Sequence, residues 1–104
     1  MTEYEYELEQ RIQELRLTHP RVTPETVDSK IIKATFTTLP SNKVMVCEIT
    51  LRNGFTVRGE SCTVSPENFN VELGREISYR NAREKVWELE GYLLQESLYA
   101  QAIS

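Results

Sequence analysis

The stretch from Lys43 to Thr63 limits the fold more than any other part of the chain. Two strand-like runs, Lys43 to Leu51 and Phe55 to Thr63, flank Arg52-Asn53-Gly54. Successive residues of a strand point to opposite faces of its sheet. An Asn-Gly pair usually marks a two-residue hairpin loop. That loop would pair Arg52 with Phe55 and Thr50 with Val57, mixing polar and apolar side chains on each face. A three-residue loop, with Gly54 in the left-handed conformation, pairs Leu51 with Phe55, Ile49 with Val57, Cys47 with Gly59 and Met45 with Ser61. Its other face gains Thr50 opposite Thr56 and Glu48 opposite Arg58. A slip of one residue exchanges the faces, so their segregation selects the three-residue loop.

Helical patterns stand on both sides of this hairpin. Tyr4, Leu8, Ile12 and Leu15 form one stripe of an amphipathic helix. Leu17-Thr18-His19-Pro20 is expected to end it, because the residue before a proline avoids helical geometry. Thr23 then suits an N-cap and Pro24 the first helical position, with Val27, Ile31 and Ile32 on the buried side. A short strand is expected over Ala34 to Thr38, followed by a turn at Leu39-Pro40-Ser41-Asn42. Ser65-Pro66-Glu67-Asn68 repeats the cap-and-proline pattern, and Asn70 is placed to cap again. The chain then reads helical to about Leu98, with Tyr79, Ala82, Val86, Leu89 and Leu93 facing the sheet. Glycine costs about 1 kcal/mol against alanine inside a helix, so Gly91 marks a place where this helix can break. Nothing in Ala100 to Ser104 is expected to fix those residues.

The fold class expected is α+β. N-terminal helices precede a small antiparallel sheet centred on the β-hairpin, and a long C-terminal helix packs on the sheet. With 104 residues, 39% of them hydrophobic and 27% charged, the chain reads as one globular domain, 1–104. No run approaches the ~20 apolar residues of a membrane span, and the acidic N-terminus is unlike a targeting presequence. A cytoplasmic location is therefore expected. Cys47 and Cys62 are too few for a disulfide framework or a thiolate zinc site, and His19 is the sole histidine. No cofactor, metal or catalytic set is expected, and an enzyme is not. The net charge of −4 divides unevenly: residues 30–62 hold five bases and two acids, between more acidic flanks. That excess is too small for a nucleic-acid face, so nucleic acid is not the expected partner.

Several stretches together resemble a known family. They are Leu51-Arg52-Asn53-Gly54-Phe55-Thr56-Val57, Gly59-Glu60-Ser61, Ser65-Pro66-Glu67-Asn68-Phe69-Asn70, Gly74-Arg75, Asn81-Ala82, Lys85-Val86-Trp87 and Leu89-Glu90-Gly91-Tyr92-Leu93-Leu94, with Arg21-Val22-Thr23-Pro24 earlier. In these the chain is similar to a family of small phage proteins named for gene product forty-nine of a coliphage and gene sixty-six of a Shigella phage. Asn70 stands where the family pattern has an aspartate cap, and Glu88 where a proline often follows the tryptophan. The second departure removes a helix break. The resemblance implies a phage origin and a role inside an infected bacterium, and it implies no activity.

Two sets of residues are candidates for function. Ser65, Asn68, Asn70, Arg75 and Asn81 surround the start of the last helix, where free N–H groups attract anions; they are the candidate ligand-binding set. The same polar side chains can instead cap those N–H groups, and Asn81 can bond a backbone group of the sheet. Trp87, Leu94, Leu98 and Tyr99 are the candidate partner-binding set, because a long helix outreaches the hairpin and leaves apolar surface beyond it. The leading expectation is a non-enzymatic accessory protein that binds a host or phage protein and forms a homodimer through this end. The alternative is a small-ligand protein that binds or sequesters an anionic metabolite or nucleotide.

Overall fold

A computed structural model of the chain describes residues 1–17 and 19–103. In chain order it holds helix α1 (Glu3–Glu14), helix α2 (Pro24–Lys30), and strands β1 (Ile31–Thr38), β2 (Val44–Leu51) and β3 (Thr56–Cys62). A 3-10 turn (Pro66–Asn68) and helix α3 (Val71–Ile103) follow. The architecture is α+β. The strands make one antiparallel meander in the order β1-β2-β3, with α3 packed on one face of it.

The hairpin takes the register that face segregation requires. Ile49 faces Val57, Cys47 faces Gly59 and Glu48 faces Arg58. The loop closes where the Leu51 N–H donates to the Phe55 carbonyl at 2.8 Å, and Gly54 sits at φ +91°. Met45, Cys47, Ile49 and Leu51 turn to α3 and are buried. Val57 joins them from β3, and Val27 from α2 closes the core beneath Ala82 and Val86.

Strand β1 starts earlier than its composition suggested. Ile31 and Ile32, expected on the buried side of α2, belong to β1 instead, and Ile32 is 60% exposed. Two β-branched residues in succession favour extended backbone, and Ile31 finds a partner in Leu51. Helix α2 therefore passes into β1 with no loop between them. Its start is as read: the Thr23 hydroxyl accepts the Thr26 N–H at 3.1 Å, with Pro24 in the first turn.

Helix α1 begins with a capping box, in which the Thr2 hydroxyl accepts the Glu5 N–H at 3.0 Å and the Glu5 carboxylate accepts the Thr2 N–H at 2.9 Å. It ends at Glu14, ahead of the expected stop, with Arg16 at φ +56°. Within that stop, Thr18 lies outside the described residues. The apolar stripe of α1 is not its docking face: Tyr4 is 72% and Leu15 66% exposed, and α1 buries no residue.

Helix α3 runs 33 residues without a break at Gly91. An added Cβ there would meet nothing, and the surrounding Glu, Leu and Gln are good helix formers, so the glycine penalty is absorbed. The helix continues through Ala100 to Ile103, residues expected to be unfixed, while Ser104 lies outside the described residues. At ~1.5 Å per residue α3 is about 50 Å long, against about 27 Å for the eight residues of β2. The sheet therefore ends before the helix does. Ala82 and Val86 are fully buried, but Leu93, assigned by spacing to the same stripe, is 56% exposed.

The helix lies close against the sheet at Gly59. A Cβ on Gly59 would lie 2.2 Å from the Ala82 nitrogen and 2.5 Å from the Ser78 carbonyl oxygen. The buried Gly74 and Ser78 keep this end of α3 slim enough for that contact.

Candidate functional site

At the start of α3 the polar residues mostly serve the fold. The Asn70 side chain accepts the Leu73 N–H at 2.9 Å, and its carbonyl accepts the Gly74 N–H at 2.8 Å. The Ser65 side chain makes no capping bond. Asn68 and Asn70 line a hollow of about 40 Å³, close to the ~30 Å³ share of a single water. Arg75 is turned away from it, with its guanidinium carbon 5.6 Å from the centre of the Phe36 ring. Asn81 donates to the Glu60 carbonyl at 2.8 Å and ties α3 to β3. Asn68 and Asn70 share this hollow, and Ser65, Arg75 and Asn81 do not line it.

The other end of α3 is apolar. Past the hairpin tip, Leu51, Phe55, Leu89, Tyr92 and Leu93 line a hollow of about 370 Å³, with the Lys30–Glu90 ion pair of 3.2 Å at its side. Phe55 is 55% exposed although its register points it to the helix side, and it lines this hollow with Leu89, Tyr92 and Leu93 of α3. Leu94 and Leu98 are half-buried and Tyr99 is 57% exposed, so three members of the partner-binding set fall on this projecting segment. Trp87 does not join them. It lines a groove of about 800 Å³ between α1 and α3. Phe55, Tyr92 and Leu93 belong to the apolar end but were read as interior or left unassigned. The mismatch between helix and strand lengths points to Leu94, Leu98 and Tyr99, and Tyr92 and Leu93 lie just before them on the helix.

A cluster of charges holds α1 to the body. Arg83, 8% exposed, donates from Nη1 to Glu5 at 2.6 Å and from Nε to Asp28 at 2.9 Å. The Met1 amino group lies 3.2 Å from Asp28, and Arg21 grips Glu9 with two bonds of 2.6 Å. Burial alone would raise the Glu5 and Asp28 pKa values, but the Arg83 guanidinium, joined by Thr2 at Glu5 and by the Met1 amino group at Asp28, outweighs it and both lie below the ordinary range. Arg21 holds Glu9 down in the same way, mainly by its hydrogen bonds. Burial would lower the Arg83 pKa, but the two carboxylates raise it. The Arg83 Nη2 is buried and has no hydrogen-bond partner among the described residues. The partners of Arg83 lie 78 and 55 residues away, and no spacing in the sequence announces them.

The two thiols sit in different environments. Cys47 is fully buried and burial pushes its thiol pKa up, while Cys62 is exposed on the opposite face. Among the described residues no group of three or more His, Cys, Asp or Glu side chains is placed to hold a metal ion. Among the described residues no helix is long and apolar enough to cross a membrane.

What the geometry defines is a small α+β module whose last helix outreaches its sheet and leaves an apolar end open. The chain belongs to the phage protein (N4 Gp49/phage Sf6 gene 66) family, whose model matches residues 22–98. The match takes in α2, the sheet and most of α3, and leaves α1 outside it. No curated protein and no solved structure matches the chain.

Proposed function

We propose that this phage protein is a non-enzymatic accessory protein that acts in the infected bacterial cytoplasm by binding another protein. The observation that carries the reading is the cluster of large apolar side chains at the end of α3 and the hairpin tip. Phe55, Tyr92 and Leu93 line one hollow, Tyr99 and Ile103 follow on the helix beyond it, and each of the five is more than half exposed. Contiguous apolar surface of that kind commonly marks a protein contact, and aromatic residues supply a large share of contact energy. A second copy is the first partner to test, since two-fold dimers are the commonest closed assembly. The alternative of an anionic-metabolite or nucleotide binder places its ligand at the start of α3, where the hollow is about 40 Å³.

Light scattering after size exclusion, at concentrations on the order of tens of micromolar, is expected to find a dimer that Leu93→Asp with Leu98→Asp disrupts. The same variant is expected to lose whatever the wild type captures from infected-cell extract. Leu93 is 56% exposed and Leu98 half-buried, so the variant's folding stability should fall by about 1–2 kcal/mol with the fold left intact. A wild-type monomer that captures nothing sensitive to these substitutions would overturn the reading.

A further inference from the structure

The groove between α1 and α3 is built differently from the apolar end. Its volume of about 800 Å³ lies in the range of clefts that enclose a ligand or several side chains of a peptide. Its apolar lining is aromatic and aliphatic: Tyr4 and Leu8 from α1, Pro24 from α2 and Trp87 from α3. Its walls are acidic, with five glutamates against two arginines.

Those charges are not all spent. Glu5 is engaged by Arg83 and Glu9 by Arg21, as described above. Glu3, Glu76 and Glu84 have no ion-pair partner within 4.0 Å among the described residues, and neither has Arg80. Glu76, Arg80 and Glu84 recur every fourth residue, and Trp87 follows one turn on, so all four belong to one side of α3. Exposed carboxylates beside an indole ring suit a cation in two ways: by charge, and by attraction of the cation to the ring face.

We infer that this groove is a docking site for a Lys- or Arg-bearing segment of a partner protein, seated with an apolar residue against Trp87 and Tyr4. The basic side chains meet Glu3, Glu76 and Glu84 at the rim, while the apolar residue fills the floor between the two helices. Nucleic acid is repelled by the same carboxylates. A free polyamine satisfies the rim but leaves the apolar floor unfilled, so its affinity is lower than that of a peptide with both features. This surface is separate from the apolar end of α3 and stands or falls without it.

Trp87 is the sole tryptophan of the chain, so its fluorescence reads occupancy of the groove directly. The probe is a short tryptophan-free peptide of alternating lysine and leucine, titrated into the full chain. A saturable change in emission is expected, and none with the counterpart in which glutamate replaces lysine. Glu76→Lys with Glu84→Lys is expected to weaken the lysine peptide by about tenfold or more. Tyr4→Ala, at a position 72% exposed, should weaken it while leaving the fold intact. Glu48→Lys with Glu60→Lys, on the far face of the sheet, changes the net charge equally and should leave affinity unaltered. Three results would overturn the inference: no saturation, equal weakening by both double substitutions, or spermidine binding as tightly as the peptide.

Discussion

Gly59 and Gly91 differ by what an added methyl group would meet. At Gly59 it would collide with the Ala82 nitrogen and the Ser78 carbonyl oxygen, which belong to backbone and cannot rotate aside. Gly59→Ala is expected to lift α3 from β3 and cost about 3 kcal/mol or more, at the upper end of overpacking. At Gly91 the methyl group would enter open space inside a helix, so Gly91→Ala should stabilise by about 1 kcal/mol. Denaturant titration of the two variants checks both signs. The thiols differ at the same scale. Cys62 is exposed and Cys47 is fully buried on the other face of the hairpin, so a thiol reagent should label one cysteine in the native protein. A second should appear only on unfolding, and an intramolecular bridge would contradict the hairpin geometry.

At the scale of elements, α1 is the part most dependent on pH. The folded pKa values of Glu5, Glu9 and Asp28 lie below their ordinary values of 4.5, 4.5 and 3.8. A carboxylate with a lowered folded pKa contributes stability that is fully present above the unfolded value. That contribution fades as pH falls through the folded one. Acidification below about pH 4 should therefore release α1 first, because no buried apolar side chain of its own holds it. Amide exchange on α1 should accelerate in that range while Ile49 and Val86 stay protected. Arg83→Met tests the same clasp at neutral pH. It strands two carboxylates, of which Asp28 is 38% exposed and can turn to water, so the expected cost is about 2 kcal/mol.

The elements also show which features a sequence displays. Residues 43–63 were legible because a period of two, with apolar side chains on one face, fixes register and turn type together. The Thr23-Pro24 helix start was legible for an equally local reason. Ile31 and Ile32 were not, since a β-branched pair after a short helix fits either state until Leu51 is known to lie opposite. The docking of α1 was hidden more deeply. Its apolar stripe suggested a conventional packing face, whereas the contacts that hold it are charges scattered over the chain with no period to read. Asn70 was read correctly as a cap, and Arg75 lies over Phe36 because a strand far off in sequence brings a ring beside it.

For the molecule as a whole, the two candidate surfaces lie on different parts of α3, and their tests are independent. The apolar end predicts an assembly that changes with concentration and resists salt. The acidic groove predicts binding that weakens with salt as exposed charges are screened. A further consequence follows from the order of the strands. Each strand pairs with its neighbour in sequence, so the sheet is completed by Cys62 before any residue of α3 is needed. Pairings between sequence neighbours close short loops and form quickly, and a chain leaving the ribosome presents its N-terminal segments first. The meander can thus assemble during synthesis, with α3 arriving last to cover Met45, Cys47 and Ile49. Until then that apolar face is bare, so chains truncated before Val71 should aggregate, and chains ending near Leu94 should remain soluble and fold.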